Sequence, residues 1–298
     1  MPGLSTDGVV TWEYINLDES NFFYQEIFDR SVYFRHGIDI PENGVVIDAG
    51  ANIGLFSLCC STKLKNLRII AIEPLPPVFK VLQRNLKGIC AAAMAICVGL
   101  GDENDSTKKF YYFENFPGES TANLSERNAQ LETCIKELKT LKSTEGSEEL
   151  SKLRLPVAAY EHLAMMYAGE ESNTSDFENN KEPEDYLCPI TTLESIILSE
   201  DISVVHLLKV GRDLDSVARN NLVATTFIYG QVDVEGDELL VLRGIGSVWP
   251  RVKQIVVGNN VMKSATIYAF PACTTQMLYI TAPHQPHNIS ISFVSDSL

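Results

Sequence analysis

Apolar positions along residues 44–121 fall into short unbroken runs separated by amphipathic stretches. Val45-Val46-Ile47 predicts a short strand, and Ile53 to Lys63 a helix. Arg68-Ile69-Ile70-Ala71-Ile72 predicts a second buried strand. Pro77 to Lys87 predicts a helix with proline in its first turn, where its missing N–H is not needed. Ala92 to Val98 and Lys108 to Phe113 predict two more strands, the last more edge-like. Fully apolar strands that alternate with helices indicate a parallel sheet covered on both faces. Upstream, Phe22, Phe23, Ile27, Phe28 and Val32 recur at helical spacing, with Asp18 and Ser20 as candidate N-caps. Downstream, Leu193–Leu198 and Glu238–Gly244 predict helices, and Val204–Val210 and Gln254–Val257 predict strands. Past Gly258 the pattern fades into short apolar pieces such as 266–270 and 277–282, with no helical partner.

Between these regions, residues 119–187 carry 15 Asp and Glu against 7 Lys and Arg. The segment predicts one helix, Gln130 to Lys142, and a polar loop, Glu170 to Asp185, that is either a solvated insertion or a lid. The organisation expected is a helical leader (1–43), an α/β domain (44–257) and an atypical tail (258–298).

The whole chain has 298 residues and a formal charge of −15. That balance argues against nucleic acid or an anionic membrane surface as partner, since both require a basic face. Seven cysteines, an odd number without a C-x-x-C pair, predict neither a zinc knuckle nor a disulfide framework. No basic n-region and apolar h-region open the chain, and its longest nearly apolar run, Ile89 to Gly101, is too short to span a bilayer. The expectation is a cytoplasmic protein. No His, Asp and Glu cluster has metal-ligand spacing, so no metal is expected.

The strongest chemical signal is Val45-Val-Ile-Asp-Ala-Gly-Ala-Asn-Ile-Gly54. A strand ends in Asp48, and Gly50 and Gly54 turn the chain into a helix whose first amides favour an anionic group. The G-x-G-x-x-G spacing of nicotinamide binders is absent, which disfavours an oxidoreductase. The observed spacing suits S-adenosylmethionine (SAM), with Asp48 near its ammonium. Glu73 closes the next strand, 25 residues after Asp48. There a carboxylate can accept hydrogen bonds from two ribose hydroxyls. Val98-Gly-Leu-Gly-Asp102 ends the third strand, and its small residues leave room for an adenine beside Asp102. His162 and His206 read as structural or surface residues rather than bases, and Trp249 as packed on the sheet.

With these residues the chain resembles the FkbM-type methyltransferase family. The resemblance runs through 45–58, 69–86, 98–102, FPGEST (116–121), 187–197, 206–210, VDVEGDELLVLRGI (232–245) and 249–257, and extends to the leader, 14–40. It implies a Rossmann-like class I fold, three αβα layers around a mostly parallel sheet, and a SAM cofactor. It implies O-methylation of a hydroxyl on a sugar, glycan or small natural product. The implied cofactor shell is Asp48, Gly50, Asn52, Gly54 and Glu73, with Asp102 beyond it. Asp233 and Glu235 are the candidate general bases, and Pro117–Thr121 a candidate contact to cofactor or acceptor.

Two stretches depart from the family pattern. Residues 211–232 separate LLKV from DVEG, which the family joins directly. The insert holds its own strand-like run, Leu222 to Tyr229, so two segments compete for one slot in the sheet. The tail, 258–298, lacks the expected closing helix and hairpin, which would leave a sheet edge unpaired. Both stretches suggest an alternative or unspliced transcript. The competing expectation is therefore a catalytically impaired, methyltransferase-like binding protein.

Overall fold

A computed structural model describes residues 3–4, 10–29, 31–34, 38–89, 92–114, 117–125, 127–128, 183–211, 238–257 and 276–279. The leader begins with β1 (Gly3–Leu4) antiparallel to β2 (Thr11–Trp12), then α1 (Leu17–Tyr24). The cap of α1 is Asn16, whose side chain accepts from the Glu19 amide at 3.0 Å. Asp18 and Ser20, the expected caps, already lie inside the helix. The helix continues into a wider, π-helical turn, Gln25–Asp29.

The central sheet holds six strands: β3 (Val45–Ala49), β4 (Arg68–Ile72), β5 (Ala93–Ile96), β9 (Leu207–Val210), β10 (Gln254–Val257) and β11 (Gln276–Tyr279). Their spatial order is β11-β10-β9-β3-β4-β5, and every pairing is parallel. The chain thus builds outward one way from β3, then returns and builds the other way. This is the doubly wound order of Rossmann-like folds. The helices α2 (Leu55–Lys63), α3 (Pro76–Leu86), α4 (Leu193–Ser199) and α5 (Glu238–Arg243) cover it.

Successive strand residues point to opposite faces. Val46, Ile69, Leu207 and Val256 join the core formed with α1, α2 and α3. Their neighbours Ile47, Ile70, Leu208 and Ile255 join the core formed with α4, α5 and the 246–251 turn. Apolar residues are needed on both faces, which is why these strands read as unbroken apolar runs rather than alternations. Trp249 packs on the second core, as expected. His206 accepts the Val45 amide at 3.0 Å through Nδ1, a structural role.

A second sheet contains β6 (Gly99–Leu100), β8 (Glu184–Thr191) and β7 (Ser106–Tyr112) in that order. The edge-like strand expected near 108–113 is thus β7, which pairs antiparallel with β8. The 130–142 helix, the 170–185 loop except its last three residues, and His162 lie outside the described residues.

Both departures from the family pattern bear on the sheet. Leu207–Val210 holds the slot between β3 and β10, so the original strand wins it. The competing run, 222–229, lies outside the described residues. The expectation of an unpaired edge is corrected: β11, from the tail, pairs with all four residues of β10.

Asn85 ties the leader to the domain. It stands on the buried face of α3, beside Val81, Leu82 and Leu86. Its Nδ2 donates to the Ile53 carbonyl at 2.7 Å and to the Glu13 carbonyl at 2.9 Å, while Oδ1 accepts from the Glu13 amide at 2.6 Å. Nearby, Arg84 and Glu13 form an ion pair with both side chains about half exposed. Asn85→Leu strands three backbone groups, the Ile53 carbonyl buried and the two of Glu13 partly buried, and is expected to cost about 2–4 kcal/mol in denaturant unfolding. Arg84→Gln is expected to cost under about 1 kcal/mol in the same measurement.

Candidate functional site

The carboxyl ends of β3, β4 and β9 meet where the strand order reverses, the place where open α/β sheets bind ligands. The β3–α2 turn, 50–54, is held from below by β4. The Gly50 and Ala51 amides both donate to the Ile72 carbonyl, at 3.0 and 2.9 Å. The Asn52 amide donates to Glu73 Oε2 at 3.0 Å. Gly50 and Gly54 adopt left-handed φ values of 71° and 89°, and a Cβ on Gly54 would lie 2.7 Å from a Leu82 methyl. Turn geometry and helix packing both demand glycine at position 54.

Asp48 is fully buried. Its Oδ2 accepts from the Ser57 hydroxyl at 2.7 Å, and its Oδ1 lies 3.1 Å from the Lys209 ammonium. Lys209, on β9, is 4% exposed and also donates to the Gly50 carbonyl at 2.9 Å and the Ala49 carbonyl at 3.4 Å. A carboxylate and an ammonium inside a parallel sheet persist because each offsets the other's charge, although Asp48 Oδ1 itself accepts no hydrogen bond.

Glu73 is also enclosed, at 1% exposure. Its two oxygens accept from the Asn52 and Leu75 amides, which leaves lone pairs for further donors. Burial pushes its carboxyl up to about 7, against the opposing pull of those two amides and of Lys209. Both acids are closed off from solvent, so a ligand that reaches Glu73 must displace the side chains over it.

A small cavity opens beside the turn. Gly50, Asn52, Phe56 and Lys209 line it on one side, and Phe23, Ile27 and Tyr33 of the leader on the other. Asn52 has a left-handed φ of 51°; its Oδ1 accepts from the Ile53 amide, and its Nδ2 is buried without a hydrogen-bond partner. The helix α2 begins at Gly54 without a side-chain cap. Uncapped amides and an unsatisfied amide donor together favour an acceptor or an anion there.

The structure therefore brings together Asp48, Gly50, Asn52, Gly54 and Glu73. Of these, Gly50 and Asn52 line the cavity, whereas Asp48, Gly54 and Glu73 do not; Asp102 does not line it either, and is exposed in the bend 102–105. Asp233 and Glu235 lie outside the described residues. The Pro117–Glu119 turn packs behind Phe23: the Gly118 amide donates to Glu19 at 2.7 Å, and Glu119 pairs with Arg127. Lys209 and Asn85 were not among the expected site residues. Each carried a local signal, a lysine inside an apolar strand and an asparagine on the apolar face of a helix.

No group of His, Cys, Asp and Glu that could hold a metal ion occurs among the described residues. None of their helices is long and apolar enough to cross a membrane. Burial pushes the Cys59 thiol up to about 12 and Cys60 well above its usual range, which makes both inert core residues.

Glu73 makes stability pH-dependent with a definite sign. Its folded pKa lies above its usual value of 4.5, so its share of stability is full below pH 4.5 and is lost as pH rises through about 7. The expected loss is on the order of 3 kcal/mol. Glu73→Gln forfeits one amide bond at every pH, so the readout is the slope. Denaturant unfolding from pH 4.5 to 8 should show a steeper fall in the native chain than in the variant, which keeps the share of Glu119, a carboxyl that burial also pushes up.

No family model matches the chain. It is 42% identical over 108 residues to the AMB antimetabolite synthetase AmbE of Pseudomonas aeruginosa, 36% of this chain and 5% of that protein. It is 38% identical over 120 residues to Methyltransferase sdnD of Sordaria araneosa, 40% of this chain and 45% of that one. The 31-O-demethyl-FK506 methyltransferase FkbM of Streptomyces tacrolimicus is 26% identical over 247 residues, 83% of this chain and 76% of that one. The matched region thus spans less than half of the first two relatives and about three quarters of the third. With its doubly wound sheet and these matches, the chain is similar to methyltransferases, and over most of its length to the FkbM protein.

Proposed function

We propose that the chain binds SAM at the β3–β4–β9 crevice and transfers its methyl group to a hydroxyl of a sugar, glycan or small natural product. The observation that carries this reading is the joining of Asn52 and Glu73 at the carboxyl ends of β3 and β4, beside the switch point between β3 and β9, with the turn amides locked onto β4. The residues present fit the cofactor. Glu73 keeps lone pairs for ribose hydroxyls. The unsatisfied Asn52 Nδ2 and the uncapped start of α2 suit the carboxylate of the methionyl group. Phe23, Tyr33 and Phe56 supply an apolar wall that excludes water. Bound SAM supplies an electrophilic methyl on a sulfonium. The protein has to place an acceptor oxygen in line with it and to remove the hydroxyl proton. Asp233 and Glu235 are proposed for that proton. The acidic charge and the family's acceptors favour a small-molecule or glycan partner in the cytoplasm over nucleic acid or membrane.

A second reading, a SAM-binding protein with impaired transfer, rests on one observation. β9 ends at Val210, and residues 211–232 separate it from DVEG in the sequence.

Calorimetry with SAM tests the shared premise. Glu73→Ala is expected to weaken binding at least tenfold, about 1.4 kcal/mol or more. No binding by the native chain, or unchanged binding in both Asp48→Ala and Glu73→Ala, overturns it. Release of S-adenosylhomocysteine with a panel of hydroxylated acceptors then separates the readings. Turnover by the native chain supports the first; turnover only after deletion of residues 211–232 supports the second.

A further inference from the structure

Lys209 lies at the centre of the site and has no role in the proposed reading so far. Its ammonium meets three acceptors: the Asp48 carboxylate and the carbonyls of Gly50 and Ala49. It also lies 5.9 Å from the centre of the Phe56 ring and forms part of the cavity wall. These are the groups to which a ligand's ammonium would be drawn: a buried aspartate and the carbonyls of the strand-end turn. Here the protein supplies the cation itself.

We propose that Lys209 is the positioning residue of this site, neutralising Asp48 and fixing the Ala49–Gly50 carbonyls so that Glu73 is the acid left to receive a ligand. The proposal rests on the SAM-binding reading and adds a division of labour to it. Asp48 faces inward to Lys209 and Ser57 and acts on the ligand only through the turn. Glu73 bonds the turn at Asn52 and keeps acceptor capacity for hydroxyl donors.

Charge balance gives the inference its second leg. The titratable and charged groups facing Glu73 are Asp48 from β3, Lys209 from β9, Cys97 just past β5 and Cys188 on β8. Of these Lys209 alone favours the ionised carboxylate; Asp48 opposes it, and burial pushes the Cys188 thiol up to about 12, so it stays neutral. Without the ammonium, two acids would share one dry site, and one of them would take up a proton. A protonated Glu73 accepts fewer hydrogen bonds, so ligand affinity should follow its titration.

The test measures S-adenosylhomocysteine affinity by calorimetry from pH 5.5 to 9 in the native chain, Lys209→Met, Lys209→Gln and Lys209→Arg. The expected native profile weakens on the acid side of Glu73's titration. Lys209→Met should bind at least tenfold more weakly at pH 8, with the acid limb moved to higher pH. Lys209→Arg, which keeps the charge, should recover most of the affinity and the native midpoint. Lys209→Gln can still donate to the turn carbonyls, so a displaced midpoint there isolates the charge, and it stands in if Lys209→Met does not fold. A uniform loss at all pH values with an unmoved midpoint in both neutral variants marks Lys209 as structural only and overturns the proposal.

A titration without ligand keeps this separate from the SAM reading. Carbon-13 NMR of labelled glutamate carboxyls, with Glu73 identified by the signal missing in Glu73→Gln, should show its midpoint moving up in Lys209→Gln and staying near native in Lys209→Arg. An unmoved midpoint overturns the proposal. If the native chain binds no S-adenosylhomocysteine at all, the SAM reading fails while the NMR result still decides the role of Lys209.

Discussion

A single buried ion pair organises the middle of this molecule. Asp48 and Lys209 are register partners on neighbouring parallel strands, and both are buried. Such a pair adds little net stability compared with apolar residues of the same volume, because both charges pay to leave water. What it does add is direction. An ammonium needs three acceptors, and the two it finds beyond Asp48 are the last carbonyls of β3 and its turn. The turn is therefore fastened on both edges, its carbonyls to β9 and its amides to β4. Everything that makes the crevice a site depends on that fastening: the left-handed Gly50 and Asn52, the uncapped start of α2, and the reach of the Asn52 amide to Glu73.

The residues that were legible in the sequence are those whose roles are local. Asp48, Gly50, Gly54 and Glu73 each stand within a few residues of a strand end, and strand ends are marked by apolar runs that stop abruptly. Gly54 is required twice over, by its φ and by the Leu82 methyl. Lys209 and Asn85 were not read as site residues because their partners lie far along the chain. Lys209 meets residues about 160 positions away, and Asn85 meets the Glu13 backbone 72 positions away. Both broke an apolar pattern, and a polar residue at a core position is a request for a partner. The sequence shows the request; only the packed structure shows who answers it. The cap of α1 was displaced for a smaller reason. Asn16, Asp18 and Ser20 all suit an N-cap, and only the hydrogen bond from the Glu19 amide picks Asn16.

The tail was misjudged for a different cause. Residues 276–279, Gln-Met-Leu-Tyr, open onto a short apolar piece that has neither a helical period nor a helical partner to mark it as part of the α/β pattern. An edge strand has no need of either feature. It contributes backbone hydrogen bonds on one side only, and those depend on β10 offering an open edge rather than on its own side chains. A sheet can therefore recruit a sequence that would not form a strand alone.

The same logic governs the slot beside β3. Leu207–Val210 and the run at 222–229 are both apolar enough for a central strand, so hydrophobicity alone does not choose between them. The lysine does. Within Leu207–Val210, position 209 places an ammonium at the register of Asp48; the run 222–229 contains no cation to offer. Seating the second run would leave Asp48 buried and unpaired, a cost of about 3–5 kcal/mol for a broken buried pair. The ion pair that fastens the turn thus also fixes which segment enters the sheet. A buried charge that contributes little to stability here selects one strand over another, and the site depends on that selection.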